Sequence, residues 1–541
     1  MKSATQIGVV LTTFIALASI SFAAGKDPIK DKVSLKRNSP VIFPLYSKSE
    51  KGSELGIGIA DRAGSELFAT GNYNHFHLKQ VFSMARGHRF SAEQLSTLNY
   101  VTKSVRILGS QSGVFGTLEK LPNGSWMLKF TVFNVASRKQ KEGKQNLGSN
   151  IASAVASGGR TIAEAVASLD GLKLTNAEAQ PHTKSEAAME AYLTCHSILM
   201  NQPMGLRKSH VINPKQIILA RRGCQKAIKA DPDFAAAWAS LSLAYSLSFR
   251  KEDAARALKK AQSFKGYLAF QRIAQYWWTT RFEGSAEGAS VLRQSLKNFP
   301  GALIFLTYLG EHLNITREYD EALEVWNRYL GLLEASPYAM AQKGYSLARL
   351  SKLDESIEIT RRAVNLDTAS MDLKLELASR LVDAKKLGPA EAILAPLESN
   401  KHVFGEVLLR LGYIYLLQKK DARAEQLFRR ALTIATTPSE WRTRGRTRYD
   451  LAIVMARKGR LAAAERHLLD AANEGFMVRD LLKTNADLHV LADRPKVAHL
   501  YKNLQLKRKK PLLMVSPFPI DYSGKIVPDA KRPPTMTGIS F

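Results

Sequence analysis

The sequence has few residues that could cross-link the fold through disulfides or a metal ion. It has 541 residues but only two cysteines, Cys195 and Cys224, which are too few for a disulfide framework or a four-cysteine zinc site. Stability must therefore come from packing. Hydrophobic residues make up 45% of the chain and charged residues 23%, which is ordinary globular usage and excludes wholesale disorder, a collagen and a coiled coil.

Signatures of catalysis and metal binding are also missing. The chain contains no phosphate-binding glycine loop, no His-Glu-x-x-His segment and no calcium loop. Residues 109–113 have the outline of a nucleophile elbow, but the central residue is Gln111 instead of serine. His75 and His77 could share one strand face, but no third metal ligand lies near them. The sequence therefore predicts a protein that is not an enzyme, with no metal, cofactor or small-molecule substrate.

The chain has far fewer acidic than basic residues. The chain has 78 Lys and Arg residues against 48 Asp and Glu residues, a formal net charge of +30. Such an excess attracts any polyanion, including nucleic acid, anionic lipid, lipopolysaccharide and acidic proteins. Charge alone does not choose among these partners.

A long apolar run occurs only at the start of the chain. Lys2 precedes an uncharged apolar segment at 7–22, and the small residues Ala23 and Ala24 follow it. This order is typical of a secretory signal peptide, and cleavage would begin the mature chain near Gly25. The alternative is an uncleaved segment that anchors the protein in the inner membrane. We therefore expect a periplasmic or secreted protein, for which nucleic acid is not an expected partner.

The next part of the chain mixes strand and helix patterns. Ser91 and Gln94 form a helix-start signature, and Asn123-Gly124 is a strong hairpin turn signal. The predicted elements are a strand at 41–46, a helix at 55–68, a strand at 76–82, a helix after Ser91, a hairpin of 114–120 and 126–135, and a helix at 150–169.

This order of elements resembles the N-terminal domain of TolB and the related envelope domains of the FlgO and CsgG kind. The resemblance covers 33–172, opens with VIFPLYS and closes with ILGSQSGVFGTLEKLPNGSWMLKFTVFNV. It implies an adaptor that binds other envelope proteins and has no catalytic residues. The segment SRKQKEGK at 137–144 departs from that pattern as a strongly basic turn. It is either a solvated loop or a contact for an anionic partner.

A period of 34 residues governs the chain from residue 187 onward. Small residues recur in two registers at this period, which indicates helix pairs that cross closely. The first register contains Ser242, Gly310, Gly344, Ala378 and Gly412, with Tyr276 as its one bulky member. The second contains Ala220, Ala254, Gly288, Ala322, Ser356, Ala390 and Ala424.

The units around these positions resemble the tetratricopeptide repeat. Trp238-x-x-Leu-Ser242-x-x-Tyr followed by Ala254 matches that repeat, with serine in place of glycine. The segment 408–415, with Gly412 followed by Ala424, is the cleanest copy. The resemblance implies stacked helix hairpins that form a superhelix with a concave groove.

The predicted fold class is an α+β N-terminal domain followed by an all-α superhelical array. The predicted parts are a signal peptide at 1–24, the TolB-like domain at 33–172, a linker at 173–186, about eight hairpins at 187–473, capping helices at 474–506 and a basic, proline-containing disordered tail at 507–541.

Cys195 and Cys224 fall on the two helices of the first repeat, in registers that face each other. We expect two buried free thiols, because buried cysteine is common and disulfide geometry is demanding. A disulfide is the alternative, since an exported protein can be oxidised.

The useful binding positions lie on the first helix of each hairpin. Aromatic and arginine side chains there suit an extended peptide or an anionic segment, although each tyrosine could instead pack between neighbouring units. The predicted groove residues are Trp277, Arg281, Tyr345, Arg349, Tyr413, Tyr449 and Arg457.

These observations predict a non-enzymatic periplasmic scaffold. Its groove would bind a protein partner, and its N-terminal domain would bind a second envelope component. The alternative is an envelope-surface protein that basic loops and the basic tail hold on anionic lipid, lipopolysaccharide or peptidoglycan.

Overall fold

The computed structural model describes most of the chain after residue 37. The described residues are 38–74, 76–88, 90–174, 183–200, 214–264, 269–399, 405–436, 440–476 and 485–502. All of them belong to one compact unit that begins at Arg37. The predicted signal peptide, His75 and the predicted tail at 507–541 lie outside the described residues.

An α/β unit forms the N-terminal part. Its sheet has the order β1-β2-β3-β4, in which β1 runs parallel to β2 and the other pairs are antiparallel. The elements are β1 (Val41–Ile42), α1 (Glu50–Ala69), α2 (Leu78–His88), α3 (Leu98–Ile107), β2 (Ser112–Lys120), β3 (Trp126–Asn134), β4 (Gln140–Asn146) and α4 (Ile151–Leu169).

The local turn and cap signals are present in the structure. Gly124 has a φ of +83°, and its N–H donates to the Leu121 carbonyl at 2.9 Å in the β2–β3 turn. The Ser91 N–H donates to Gln94 Oε1 at 2.8 Å, and the Gln94 N–H donates to Ser91 Oγ at 3.1 Å. A short 3-10 turn, Gln94–Ser96, separates this capping box from α3.

Two local predictions for the α/β unit are wrong. The strand expected at 76–82 is helix α2, because Leu78, Val81 and Ala85 are buried at helical spacing against the core. The basic turn expected at 137–144 is confined to its first residues, 137–139, and from Gln140 onward the segment forms β4, an exposed edge strand that pairs with β3. Lysines on an exposed edge oppose unwanted strand pairing, so a basic sequence is compatible with this position.

Eight helix hairpins follow the α/β unit. They are α5 (Glu186–Met200) with α6 (Pro214–Ala230), α7 (Ala235–Leu247) with α8 (Lys251–Gln262), α9 (Ala269–Phe282) with α10 (Ser285–Asn298), α11 (Leu303–Thr316) with α12 (Tyr319–Leu332), α13 (Pro337–Arg349) with α14 (Leu353–Leu366), α15 (Met371–Asp383) with α16 (Leu387–Leu394), α17 (Gly405–Leu417) with α18 (Asp421–Ile434), and α19 (Trp441–Arg457) with α20 (Leu461–Asn473). A 3-10 helix, Ala486–Leu491, and α21 (Pro495–Lys502) pack on the last hairpin. The predicted fold class is therefore confirmed.

The two small-residue registers meet inside each hairpin. Ser242 Oγ donates to the Ala254 carbonyl at 2.9 Å, and Ser356 Oγ donates to the Gly344 carbonyl at 2.5 Å. A Cβ atom on Gly310 would lie 2.5 Å from the Trp326 ring. The helices thus approach so closely that the first helix has no room for a side chain there. Ala322, Ala390 and the other small residues of the second register are buried at the same crossing.

Trp238 has a different role at the start of its hairpin. Its indole N–H donates to the Pro232 carbonyl at 2.8 Å, while its ring is half-buried. This bond ties α7 to the turn that precedes it.

The turns within the hairpins share an unusual backbone conformation. The residue after the end of the first helix has a positive φ in five hairpins without being glycine: Phe249, Arg317, Ser351, Lys385 and Lys419. Gly459 occupies this place in the last hairpin, with a φ of +70°. The N–H after each of these residues bonds back into the last helical turn, as in Lys420 to the Tyr415 carbonyl at 2.9 Å. This is a Schellman cap, which ordinarily prefers glycine.

Glycine at these caps should stabilise the array. A side chain with positive φ costs roughly 1 kcal/mol that glycine avoids, so Lys385→Gly and Lys419→Gly should each raise the free energy of unfolding by up to about 1 kcal/mol. The reverse change, Gly459→Lys, is the matched control and should lower it by a similar amount. Urea denaturation followed by circular dichroism measures both, and a loss of stability in either glycine variant would contradict the cap assignment.

The α/β unit and the first hairpins share one hydrophobic core. That core runs without a break from Val41 in β1 to Ala339 in α13. Glu54 in α1 accepts from Thr194 Oγ1 at 3.1 Å and Ser197 Oγ at 3.4 Å, both in α5. A Cβ atom on Gly58 would lie 2.4 Å from the Leu193 side chain, so the two helices leave no room for one. The α/β unit is therefore built into the start of the array.

The same unit also lies along one edge of later hairpins. Gln80 in α2 donates to the Tyr329 hydroxyl at 3.1 Å. His88 Nε2 at the end of α2 lies 2.8 Å from Asp367 Oδ2, and both side chains are buried. These contacts reach the ends of α12 and α14, so α2 spans two successive hairpins.

The two cysteines are joined in a disulfide. Cys195 in α5 and Cys224 in α6 have Cα atoms 5.4 Å apart, a usual distance for such a bond. A Cβ atom on Gly223 would lie 3.0 Å from the Ala191 carbonyl oxygen, which shows how closely the two helices approach. The expectation of two free thiols is therefore wrong, because the close crossing brings the sulfur atoms into bonding range.

Candidate binding groove

The first helices of successive hairpins pack side by side, and we call the surface that they share the wall of the array. Contacts join α7 to α9, α11 to α13, α13 to α15, α15 to α17 and α17 to α19. The predicted groove residues all lie on helices of this wall. Their surroundings divide them into two groups. Trp277, Arg281, Tyr345 and Tyr449 are buried, whereas Arg349, Tyr413 and Arg457 are at least partly exposed.

Trp277 and Arg281 in α9 belong to the buried group. Both are less than a tenth exposed, and the Arg281 guanidinium lies over the Phe249 ring at 4.2 Å from its centroid. Burial lowers the pKa of Arg281 to about 9, which still leaves it protonated at neutral pH. Arg281 therefore interacts with the interior of the array and is not accessible to a ligand at the surface.

A buried hydrogen-bond chain supports this part of the wall. His312 in α11 lies between the Tyr276 hydroxyl, 3.1 Å from Nδ1, and Ser285 Oγ, 3.0 Å from Nε2. Burial, assisted by the nearby Arg293, lowers the pKa of His312 to about 3. The imidazole is therefore neutral at physiological pH, with one nitrogen donating and the other accepting. The one bulky residue of the first register, Tyr276, is accommodated through this contact with the next hairpin.

The second half of the wall carries the first of two stacks of arginine on tyrosine. The Tyr345 ring is flanked by the guanidinium groups of Arg349 at 5.0 Å and Arg380 at 5.3 Å. Arg380 is nearly buried and bonds Glu376 at 2.6 Å. Arg349 is exposed, and the Asp383 carboxylate interacts with it electrostatically. We call Tyr345, Arg349 and Arg380 the first stack.

A second stack follows two hairpins later. The Arg446 guanidinium lies 4.9 Å from the Tyr413 ring centroid and 5.7 Å from that of Tyr449. Both Asp450 carboxylate oxygens accept from Arg446 Nε at 3.0 Å. Burial raises the pKa of the Asp450 carboxyl, and Arg446 opposes that rise. We call Tyr413, Arg446 and Tyr449 the second stack, in which Tyr413 is half-buried and Tyr449 buried.

Arg457 connects three structural elements by hydrogen bonds. Its guanidinium donates to Asp487 Oδ2 at 2.8 Å, to Asp421 Oδ1 at 3.2 Å and to the Leu416 carbonyl at 3.1 Å. It thus joins α17, the start of α18 and the C-terminal 3-10 helix. Nearby, the Asn485 side-chain amide donates to the Tyr449 hydroxyl at 3.3 Å.

Sequence reasoning missed both arginines that complete the stacks from the adjacent hairpin. Arg380 follows Tyr345 by 35 residues, and Arg446 follows Tyr413 by 33. Each is within one residue of the repeat period, so a search for charged residues one period after each wall tyrosine would have found them. The exposed Leu417 and the accessible Arg410 on α17 were also missed, because nothing in their spacing marks them.

The described part of the chain shows no metal centre and no membrane helix. Within it, no three His, Cys, Asp or Glu side chains cluster as metal ligands would. None of its helices combines the length and the apolar character that crossing a bilayer needs.

Comparison with known proteins agrees with the repeat pattern. A family model described as the tetratricopeptide repeat matches residues 281–339, from the end of α9 to the start of α13. No curated protein matches the chain. Within the helical array, residues 281–339 thus match the tetratricopeptide repeat.

Several solved structures are similar to parts of the chain. A tetratricopeptide repeat protein from Parabacteroides merdae is 15% identical, with a TM-score of 0.37, over 48% of this chain and 99% of its own. Yeast Tom70 is 12% identical, with a TM-score of 0.41, over 60% of this chain and 69% of its own. A tetratricopeptide repeat protein from Thermus thermophilus is 21% identical, with a TM-score of 0.28, over 35% of this chain and 96% of its own.

Proposed function

We propose that the chain is a non-enzymatic scaffold of the cell envelope whose groove binds an extended segment of a protein partner. The carrying observation is the exposed Arg349 guanidinium, which lies 5.0 Å from the centroid of the Tyr345 ring. Tetratricopeptide arrays bind protein partners. Arginine and tyrosine are the side chains that contribute most energy at such interfaces.

The geometry of the two stacks favours an acidic or carboxylate-bearing segment. Stacking on tyrosine restricts the guanidinium of Arg349 before a ligand arrives, which lowers the entropy lost on binding. Arg410 and Arg446 are each more than a third exposed at their side chains, so further cations line the same wall. Bidentate bonds from arginine to carboxylate would supply direction as well as affinity.

A location in the envelope is part of the proposal and has two supports. The first 24 residues have the pattern of a secretory signal peptide. The disulfide between Cys195 and Cys224 is of a kind that persists in oxidising compartments and is rare in the cytosol. An uncleaved N-terminal segment remains the alternative, in which the same array would be tethered to the inner membrane.

The α/β unit offers a second contact in this scheme. Helices α1 and α2 are used against the array, while β4 forms the outer edge of the described sheet. Lys141 and Lys144 on β4 are exposed. We propose that this edge, rather than the helical face, meets a second envelope component.

The groove is tested by affinity purification from an envelope fraction. The full chain is the bait, and its intact mass shows whether it begins near Gly25. Tyr413→Ala with Arg349→Ala should release the partner, with an affinity loss of about a hundred-fold, because each change removes a stacked contact of roughly 1 to 2 kcal/mol. The affinity is measured by isothermal titration with the recovered partner.

The matched control changes one arginine and one large side chain outside the groove. Arg362 in α14 and Ile434 in α18 are both exposed on second helices of hairpins. Arg362→Ala with Ile434→Ala should keep the partner. If the groove variant also keeps every partner, the groove assignment is wrong.

A further inference from the structure

The outward face of α6 differs from the rest of the array. This 17-residue helix contains five basic residues and no acidic one. Each other second helix of the described hairpins contains at least one Asp or Glu, and α8, α12 and α14 each have two in the first turn. The absence of acids on α6 therefore does not follow from the repeat pattern.

The basic residues of α6 form a stripe together with two aliphatic side chains. Positions 215, 219, 222, 226 and 229 are spaced by three or four residues and therefore share one face of the helix, and position 218 lies three residues after 215 and four before 222. The opposite face is buried and contains Ile217, Ala220, Cys224 and Ala227. We call the outward residues Lys215, Ile218, Leu219, Arg222, Lys226 and Lys229 the α6 stripe.

The two aliphatic residues of the stripe are open to solvent. Ile218 is 38% exposed and Leu219 is 51% exposed, and the two are adjacent on the helix. Arg222, one turn away, and Lys226, two turns away, are exposed as well. Neither cation has a salt-bridge partner among the described residues. A pair of exposed aliphatic side chains flanked by exposed cations is the pattern of a helix that lies on an anionic lipid surface.

The structure holds this stripe rigidly. The disulfide to Cys195 lies on the buried face of α6, and α5 behind it shares the core of the α/β unit. A surface contact through α6 therefore needs no ordering of the helix, which reduces the entropic cost of binding.

We propose that the α6 stripe docks the protein on a membrane surface rich in anionic phospholipid. The cations approach the headgroup phosphates while Ile218 and Leu219 enter the boundary of the acyl chains. Charge complementarity selects this partner, because the helix contains five cations and no anion to repel the surface. The docking is independent of the groove and places the scaffold on the membrane while the groove stays available.

The test is binding of the full chain to vesicles of phosphatidylcholine with a quarter phosphatidylglycerol, against phosphatidylcholine alone. Arg222→Glu with Lys226→Glu should weaken binding to the anionic vesicles by roughly 20-fold or more, since each cation near such a surface contributes about five-fold. Ile218→Ser with Leu219→Ser should weaken it several-fold, and this loss should persist at high salt, where the electrostatic attraction is screened.

The chain offers a control with the same change in net charge. Arg361 and Arg362 in α14 are exposed on a second helix, and Arg361→Glu with Arg362→Glu should leave vesicle binding within about two-fold, by screening over this distance. Equal losses in both charge variants would overturn the proposal, because the total charge of the chain would then explain binding. Unchanged binding in the α6 variants, or equal binding to both kinds of vesicle, would also overturn it.

The groove variant separates this proposal from the proposed function. Tyr413→Ala with Arg349→Ala should leave vesicle binding unchanged. If the α6 variants instead lose a protein partner and keep vesicle binding, the stripe is a protein interface and the lipid proposal is wrong.

Discussion

Gly412→Arg should destabilise the last hairpins by roughly 4 kcal/mol, from overpacking together with the burial of an unpaired charge. A Cβ atom at this position would lie 2.6 Å from the Phe428 ring in α18. Ala424 at the same crossing is completely buried, so neither helix can move aside without losing contact. The long arginine side chain would therefore force α17 and α18 apart.

Urea denaturation followed by circular dichroism measures this loss. Because an array can unfold one part at a time, limited proteolysis should show whether cleavage concentrates between α17 and α20. Gly331→Arg in α12 is the matched control, since nothing lies within 4 Å of the Cβ position there. It should be neutral or slightly stabilising, because glycine disfavours a helix interior. An unchanged denaturation midpoint for Gly412→Arg would refute the helix crossing.

Removal of the disulfide should lower the free energy of unfolding by roughly 3 to 4 kcal/mol, the value that loop entropy gives for a cross-link of this length. Cys195 and Cys224 are separated by 29 residues, and both are completely buried. The loss of stability should appear first in α5 and α6, because the disulfide joins these two helices. It should also expose the contact of Glu54 with Thr194, which connects α1 to α5.

Hydrogen exchange of α5 and α6 in Cys195→Ala with Cys224→Ala, compared with the oxidised protein, measures the effect. Treatment with a reducing agent should reproduce it in the unaltered chain and have no effect on the double variant, which separates loss of the bond from loss of sulfur packing. Equal protection in all four samples would show that the bond contributes nothing to stability.

Much of the architecture follows from local patterns in the chain. The recurrence of Ser242, Gly310 and Gly344 at one period identifies the hairpins, because only a small side chain fits where two helices cross at close range. Asn123-Gly124 identifies a hairpin turn for a similar local reason, the positive φ that glycine accepts.

Other features depend on residues that are distant in the sequence. Leu78, Val81 and Ala85 form a helix where a strand was predicted, since their burial against the core outweighs the local preference of the segment. Arg380 stacks on Tyr345 from the next hairpin, and a single helix pattern does not contain that neighbour. The non-glycine caps at Ser351, Lys385 and Lys419 leave no local signal at all.

The amino-acid order alone was enough to predict a mixed α/β unit and a period of paired helices, because each of these depends on contacts within a few tens of residues. Whether Cys195 and Cys224 bond, which wall residues stay accessible and which helix presents the α6 stripe depended on how the hairpins and the α/β unit pack together. Burial and pairing are properties of the assembled surface, and long-range packing decides them.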